Sequence, residues 1–124
     1  MNYKLKIVFG ISLCLVFLSF SSQAEGRISQ SSAQHIKQRH WYHANSGPKT
    51  SHFNRSMSMG KLDAISQKTI NQGSVRLSKH GQGRLTHQYR FNRPIGRGSN
   101  GKNAYSLRVV TDGRGNVITA FPVN

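Results

Sequence analysis

Carboxylates are scarce in this 124-residue chain: Glu25, Asp63 and Asp112 stand against 18 lysines and arginines. Hydrolysis by paired carboxylates needs two acids in one site, and the pattern puts Asp63 in an expected helix and Asp112 in an expected turn. A carboxylate-held Mg²⁺ or Ca²⁺ is disfavoured on the same ground, because those cations gather several oxygen ligands. Cysteine is nearly absent too. Cys14 is the only one, so no disulfide within the chain, no thiolate zinc site and no further thiol nucleophile is available. There is no Gly-x-Ser-x-Gly elbow for a serine hydrolase. The one long apolar run, 7–20, falls short of the ~20 residues a membrane helix needs. No metal and no cofactor is therefore expected. Chemistry must come from the six histidines, the lysines and arginines, and the Ser, Thr and Tyr hydroxyls.

Residues 1–24 have the layout of a secretory signal peptide. Lys4 and Lys6 give the positive start, and 7–20 the apolar centre. Ser22-Gln23-Ala24 supplies the small residues before a cleavage point, so Glu25 would open the mature chain. Leu13 before Cys14 argues against lipoprotein processing. The expectation is a secreted or periplasmic monomer with one domain, 25–124, and no membrane span after cleavage. A domain of this size holds one modest core. Without Lys4 and Lys6 it carries sixteen cations and three acids, a net charge of +13. That field attracts polyanions: nucleic acid, anionic lipid or lipopolysaccharide, or an acidic protein. No five cations run together, which favours a folded domain with a basic surface over a disordered basic tail.

The hydrophobic period changes along the chain. Ala33, Ile36 and His40 keep helical spacing over 29–41, with capping-box spacing at Ser31-Ser32-Ala33-Gln34. His35 and His40 lie five positions apart, about 140° round a helix, so their roles should differ. A breaker-rich loop follows over 42–54, with Phe53 as its core anchor. Ser56 or Ser58 then caps a second helix carrying Leu62, Ile65, Thr69 and Ile70, which stops at Gly73. From Ser74 the period is two. Strands are expected over 75–77, 85–91, 104–111 and 117–121, with a loop over 92–102. The fold class is α+β: two N-terminal helices followed by an antiparallel meander sheet of about four strands. Gly96-x-Gly98-x-x-Gly101 matches a phosphate-loop pattern in letters only, since it does not join a strand to a helix.

The closing run Val117-Ile118-Thr119-Ala120-Phe121-Pro122-Val123 is rich in strand formers, and Pro122 should stop it or mark a sheet edge. Alternation sets Val117, Thr119 and Phe121 on one face. Taken with His35-Ile36-Lys37-Gln38-Arg39-His40 and Lys49-x-Ser51-x-Phe53, this order resembles the small metal-independent ribonuclease toxin domains that end contact-dependent growth inhibition proteins. The RNase A-like and bacterial EndoU-like domains, the latter grouped with barnase, colicin and RelE-type folds, are the nearest in pattern. The resemblance spans 35–123. It implies catalysis by His40, an active-site hydroxyl from Thr119, RNA as substrate and an acidic immunity protein as partner. Phe121 stands where RNase A-like relatives have an active-site Tyr, so a phenolic role is lost. The second catalytic group stays open among His35, His52 and Lys49, with Arg55 the other cation in the region where those relatives carry an arginine. Ser51, Phe121 and Arg39 are the candidate substrate contacts.

Such chemistry suits the composition. The RNA 2′-hydroxyl can attack its own phosphate, leaving a 2′,3′-cyclic phosphate. The protein then needs a base, an acid and hydrogen-bonding or positive groups for the phosphorane. Plainer readings accompany each residue: His40 as a core histidine, His35 and Lys49 as solvated charges, His52 as a loop residue, Thr119 as a strand former. His80 is expected on a turn surface and His87 in the core or lining a cleft. The rival function is a non-catalytic basic protein binding nucleic acid or lipopolysaccharide. A membrane-active peptide lacks the strongly amphipathic helix it would need.

Overall fold

The computed structural model describes residues 28–47, 49–79 and 81–124. The expected signal peptide, 1–24, and His80, expected on a turn, lie outside the described residues. Helix α1 spans Gln30–His40. Its N-cap is Ser29, whose hydroxyl accepts from the Ser32 amide at 3.2 Å. The cap thus falls at Ser29, two residues before the expected Ser31, and is a single N-cap bond rather than a box: in a run of serines only the extended one preceding the first turn can cap. Lys37 and Arg39 lie in the last turn, where cations meet the negative helix end. Ile36 and His40 are buried and His35 is exposed, as their spacing round the helix requires.

Helix α2 spans Met59–Gln72 and is capped by Ser58, which accepts from the Lys61 amide. Leu62, Ser66 and Thr69 are its buried stripe. Gly73 ends it, but not through a left-handed conformation, since its φ is −80°. A Cβ at Gly73 would stand 2.5 Å from the carbonyl oxygens of both Thr69 and Gln88. Glycine is needed there because a strand passes close by.

The main sheet is an antiparallel meander in the order β2-β3-β6-β7, formed by Ser74–Leu77, Leu85–Arg90, Ser106–Thr111 and Val117–Val123. A second sheet, β1-β4-β5, is made of three two-residue strands: His52–Phe53, Gly96–Arg97 and Asn103–Ala104. This corrects the expected loops over 42–54 and 92–102, and it puts a strand between the two helices. Two-residue strands carry no periodicity, and Gly- and Pro-rich flanks read as loop. A Cβ on Gly96 would run into the His52 carbonyl, so this glycine serves strand packing rather than a phosphate loop. The expected strand over 104–111 is interrupted at Tyr105.

Strand β7 runs two residues past the expected 117–121 and through Pro122, which sits opposite Leu107. Of the two places expected for this proline it takes the sheet edge, where an absent N–H costs no ladder bond. One expectation about β7 is corrected. Val110 faces Thr119 while Thr111 faces Val117, so Ile118 is an extra residue, a β-bulge. The bulge breaks the alternation. Val117 turns into the core at 2% exposure, whereas Thr119 and Phe121 are only partly buried. Val117 therefore does not share their face.

Ile36, Trp41, Phe53, Leu62, Ile95, Leu107, Val109, Val117 and Ala120 form one hydrophobic core. Helix α2 packs on β3 and β6, and α1 packs on β7 and β1. Within this core His87 is 5% exposed and its Nε2 is 3.0 Å from the Thr111 hydroxyl. Two cross-strand rows cross the main sheet on the partly exposed side. One is Ser74, Gln88, Arg108 and Phe121; the other is Arg76, Thr86, Val110 and Thr119.

Candidate functional site

The end of α1, the 49–51 loop and the ends of β6 and β7 enclose a cleft of about 440 Å³. Arg39, His40, Lys49, Thr50, Ser51, Ser99, Arg108 and Phe121 line it, with 122–124 at its rim. Of the sequence candidates it gathers His40, Lys49, Ser51, Arg39 and Phe121.

His40 is held in three ways. Its Nδ1 lies 2.9 Å from the Ser51 carbonyl oxygen. A carbonyl only accepts, so Nδ1 carries the proton and donates, which leaves the Nε2 lone pair as the basic site. The Ser51 hydroxyl is farther from the same nitrogen, at 3.5 Å. The imidazole stacks on Phe121 with centroids 5.2 Å apart and planes 21° from parallel. Burial lowers its pKa below the ordinary histidine value. The Ser51 carbonyl opposes that shift, and the charges of Arg39, His35 and His52 add to it. At neutral pH the ring is a neutral, oriented base.

Arg108 is the member sequence reading missed. It is part-buried on β6, with Gln88 and Phe121 as its cross-strand partners. Its Nε and Nη2 both donate to Gln88 Oε1, at 3.2 and 3.0 Å. Its guanidinium carbon lies 5.9 Å from the Phe121 ring centroid. Phe121 thus contacts both the imidazole and a guanidinium. Burial, and secondarily the charge of Arg76, lower the Arg108 pKa. The signal available was a single arginine inside Leu107-Arg108-Val109-Val110, a strand otherwise apolar at its centre.

Other candidates lie elsewhere. His52 borders a neighbouring cleft with Arg55, Tyr42 and Arg97. Its Nε2 is 3.2 Å from the Ser46 hydroxyl, which itself donates to the Arg39 carbonyl. His52 therefore donates through Nε2 and fastens the loop after α1. His35 is exposed on α1 and borders neither cleft. Between the two cations, Lys49 borders the His40 cleft and Arg55 does not. Thr119 borders an adjoining groove that shares Arg108 and Phe121 with the cleft. Its Oγ1 is covered and has no hydrogen-bond partner among the described residues. Among the described residues no three His, Cys, Asp or Glu side chains converge, and no helix is long and apolar enough to cross a membrane.

Comparison with protein-family models, with curated proteins and with solved structures finds no match to this chain.

Proposed function

We propose that this protein is a metal-independent endoribonuclease of toxin type, cleaving RNA by attack of the 2′-hydroxyl on the adjacent phosphate. The observation that carries the reading is His40: a buried, neutral imidazole, proton fixed on Nδ1 by the Ser51 carbonyl, in a cleft walled by three cations. In this reading His40 Nε2 takes the 2′-hydroxyl proton. The 2′-oxygen bonds to phosphorus, the bond from phosphorus to the 5′-oxygen breaks, and the Lys49 ammonium gives that oxygen its proton. Arg108 and Arg39 face the charge gathered on the phosphorane, and Gln88 holds the Arg108 guanidinium in place before substrate arrives. Thr119 borders the adjoining groove, and its covered hydroxyl would have to turn outward before it could donate to a phosphate there. The basic surface is also what an acidic inhibitory partner would cover.

Degradation of total RNA in EDTA tests this. Wild-type protein should leave products with 2′,3′-cyclic ends, and His40→Asn should not. A metal requirement for activity would sink the proposal. One observation favours the rival, a non-catalytic basic protein binding nucleic acid or lipopolysaccharide: the cleft holds a single imidazole. That rival predicts salt-sensitive binding with the RNA recovered intact.

A further inference from the structure

Beside the cleft, the partly exposed side of the main sheet carries a groove of about 540 Å³. Arg76, Lys79 and Arg84 line it, and Arg108 and Phe121 join it to the cleft. These cations lie on β2, on the turn after it and on β6, so the positive strip crosses the strands instead of following one. Neither described carboxylate lines the groove. Asp63 accepts from the Ile28 amide, and Asp112 from the amides of Arg114 and Asn116. Arg76 and Arg108 are close enough that each opposes the other's charge. Like charges held together without an acid are relieved by a bound anion.

The groove is not purely cationic. Val110, in the groove-side row, and the Phe121 ring also line it. A duplex or a lipid headgroup would present phosphates to this surface and leave both side chains unmatched. Unpaired bases offer flat apolar faces between regularly repeated phosphates.

We propose that this groove binds the continuation of a single-stranded polynucleotide whose reacting phosphate sits in the His40 cleft. Arg76, Arg84 and Lys79 hold its outlying phosphates, and Val110 and Phe121 meet its bases. From β7 to β2 the chain crosses three strand spacings, roughly 14 Å, so the protein prefers oligonucleotides over dinucleotides. The assignment rests on the ribonuclease reading for the direction of the chain, but its binding is measurable apart from any cleavage.

The test uses fluorescent oligodeoxythymidylates of two to eight nucleotides. They lack the 2′-hydroxyl and survive the proposed reaction. Affinity should rise with length and then level off. Arg76→Ala/Arg84→Ala should weaken octanucleotide binding about tenfold and reduce the slope of log K against log salt by about 1.4, two phosphate contacts at ~0.7 each for a single strand. The same variant should cleave a ribodinucleotide as wild type does. Arg76→Glu is the second variant, an exposed change that leaves the hairpin backbone untouched. Unaltered octanucleotide affinity in both variants would overturn the proposal. So would tighter binding of duplex than of single strand, or a loss confined to phosphatidylglycerol vesicles. If no RNA is cleaved by wild type yet the length and salt effects hold, the groove stands and the ribonuclease reading falls.

Discussion

Replacing His40 by Asn separates catalysis from folding. Asparagine retains an N–H in place of Nδ1–H for the Ser51 carbonyl but has no basic nitrogen. The structural loss is the ring stacked on Phe121 at 5.2 Å. Such a stack contributes ~0.5–1.5 kcal/mol beyond area burial, and the smaller side chain leaves some unfilled volume. Together these cost about 2 kcal/mol, a fall in melting temperature of roughly 8–16 °C for a domain of this size. With at least ~5 kcal/mol to begin with, about 99% of the variant stays folded at 25 °C. Loss of a general base lowers turnover by ~10²–10⁴, or about 3–5 kcal/mol of transition-state stabilisation. Unfolding cannot mimic a loss that large. The assay is initial-rate cleavage of a fluorogenic RNA in EDTA, with circular dichroism on the same sample. In wild type, kcat/KM should climb with pH to a midpoint below 6.5, because burial lowers the His40 pKa. A folded His40→Asn protein that keeps activity within about threefold of wild type would refute the assignment.

Stability itself should depend on pH through His40 and His87, both shifted down by burial. Each binds its proton more tightly in the unfolded chain, so their stabilising contribution is complete above pH 6.5 and declines as pH falls toward the folded values. Urea midpoints at pH 7.5 and 5.5 should show the drop; equal midpoints would contradict it. Arg108→Lys keeps the charge but loses the two-pronged bond to Gln88. It should lower kcat about tenfold or more with little change in melting temperature, and an unchanged kcat would remove Arg108 from the reaction. Gly73→Ala should destabilise by ~1–3 kcal/mol in chemical denaturation, because its Cβ would meet two carbonyl oxygens at 2.5 Å; a neutral result would show that β3 shifts freely.

Helices were readable where burial and capping repeat over many residues. Leu62, Ile65, Thr69 and Ile70, and the pair Ile36 and His40, keep helical spacing, so α1 and α2 lie close to the expected ranges, although the buried stripe of α2 runs through Ser66 rather than Ile65. The meander was readable because its turns are marked by glycines and by Asp112, whose carboxylate accepts the Arg114 and Asn116 amides. The β1-β4-β5 sheet was not readable, because two-residue strands carry no periodicity and β1 is stabilised only by pairing with β4 more than forty positions away. The bulge at Ile118 was hidden too. Alternation over 117–121 looks unbroken, and only the register against β6 inserts the extra residue.

The site divides along the same line. The sequence by itself determined which chemistry remained: one basic domain with three acids and six histidines, and His40 on the apolar side of a helix. Composition and helical period are local properties, fixed before the chain folds. Only the tertiary structure decided which groups His40 meets. Ser51 contributes its carbonyl, Lys49 reaches the cleft and Arg55 does not, and His52 turns to Ser46. Arg108 joins from a strand nearly seventy positions away, and Thr119 falls into the adjoining groove. Those partners follow from strand register and loop closure, which depend on the whole core packing at once.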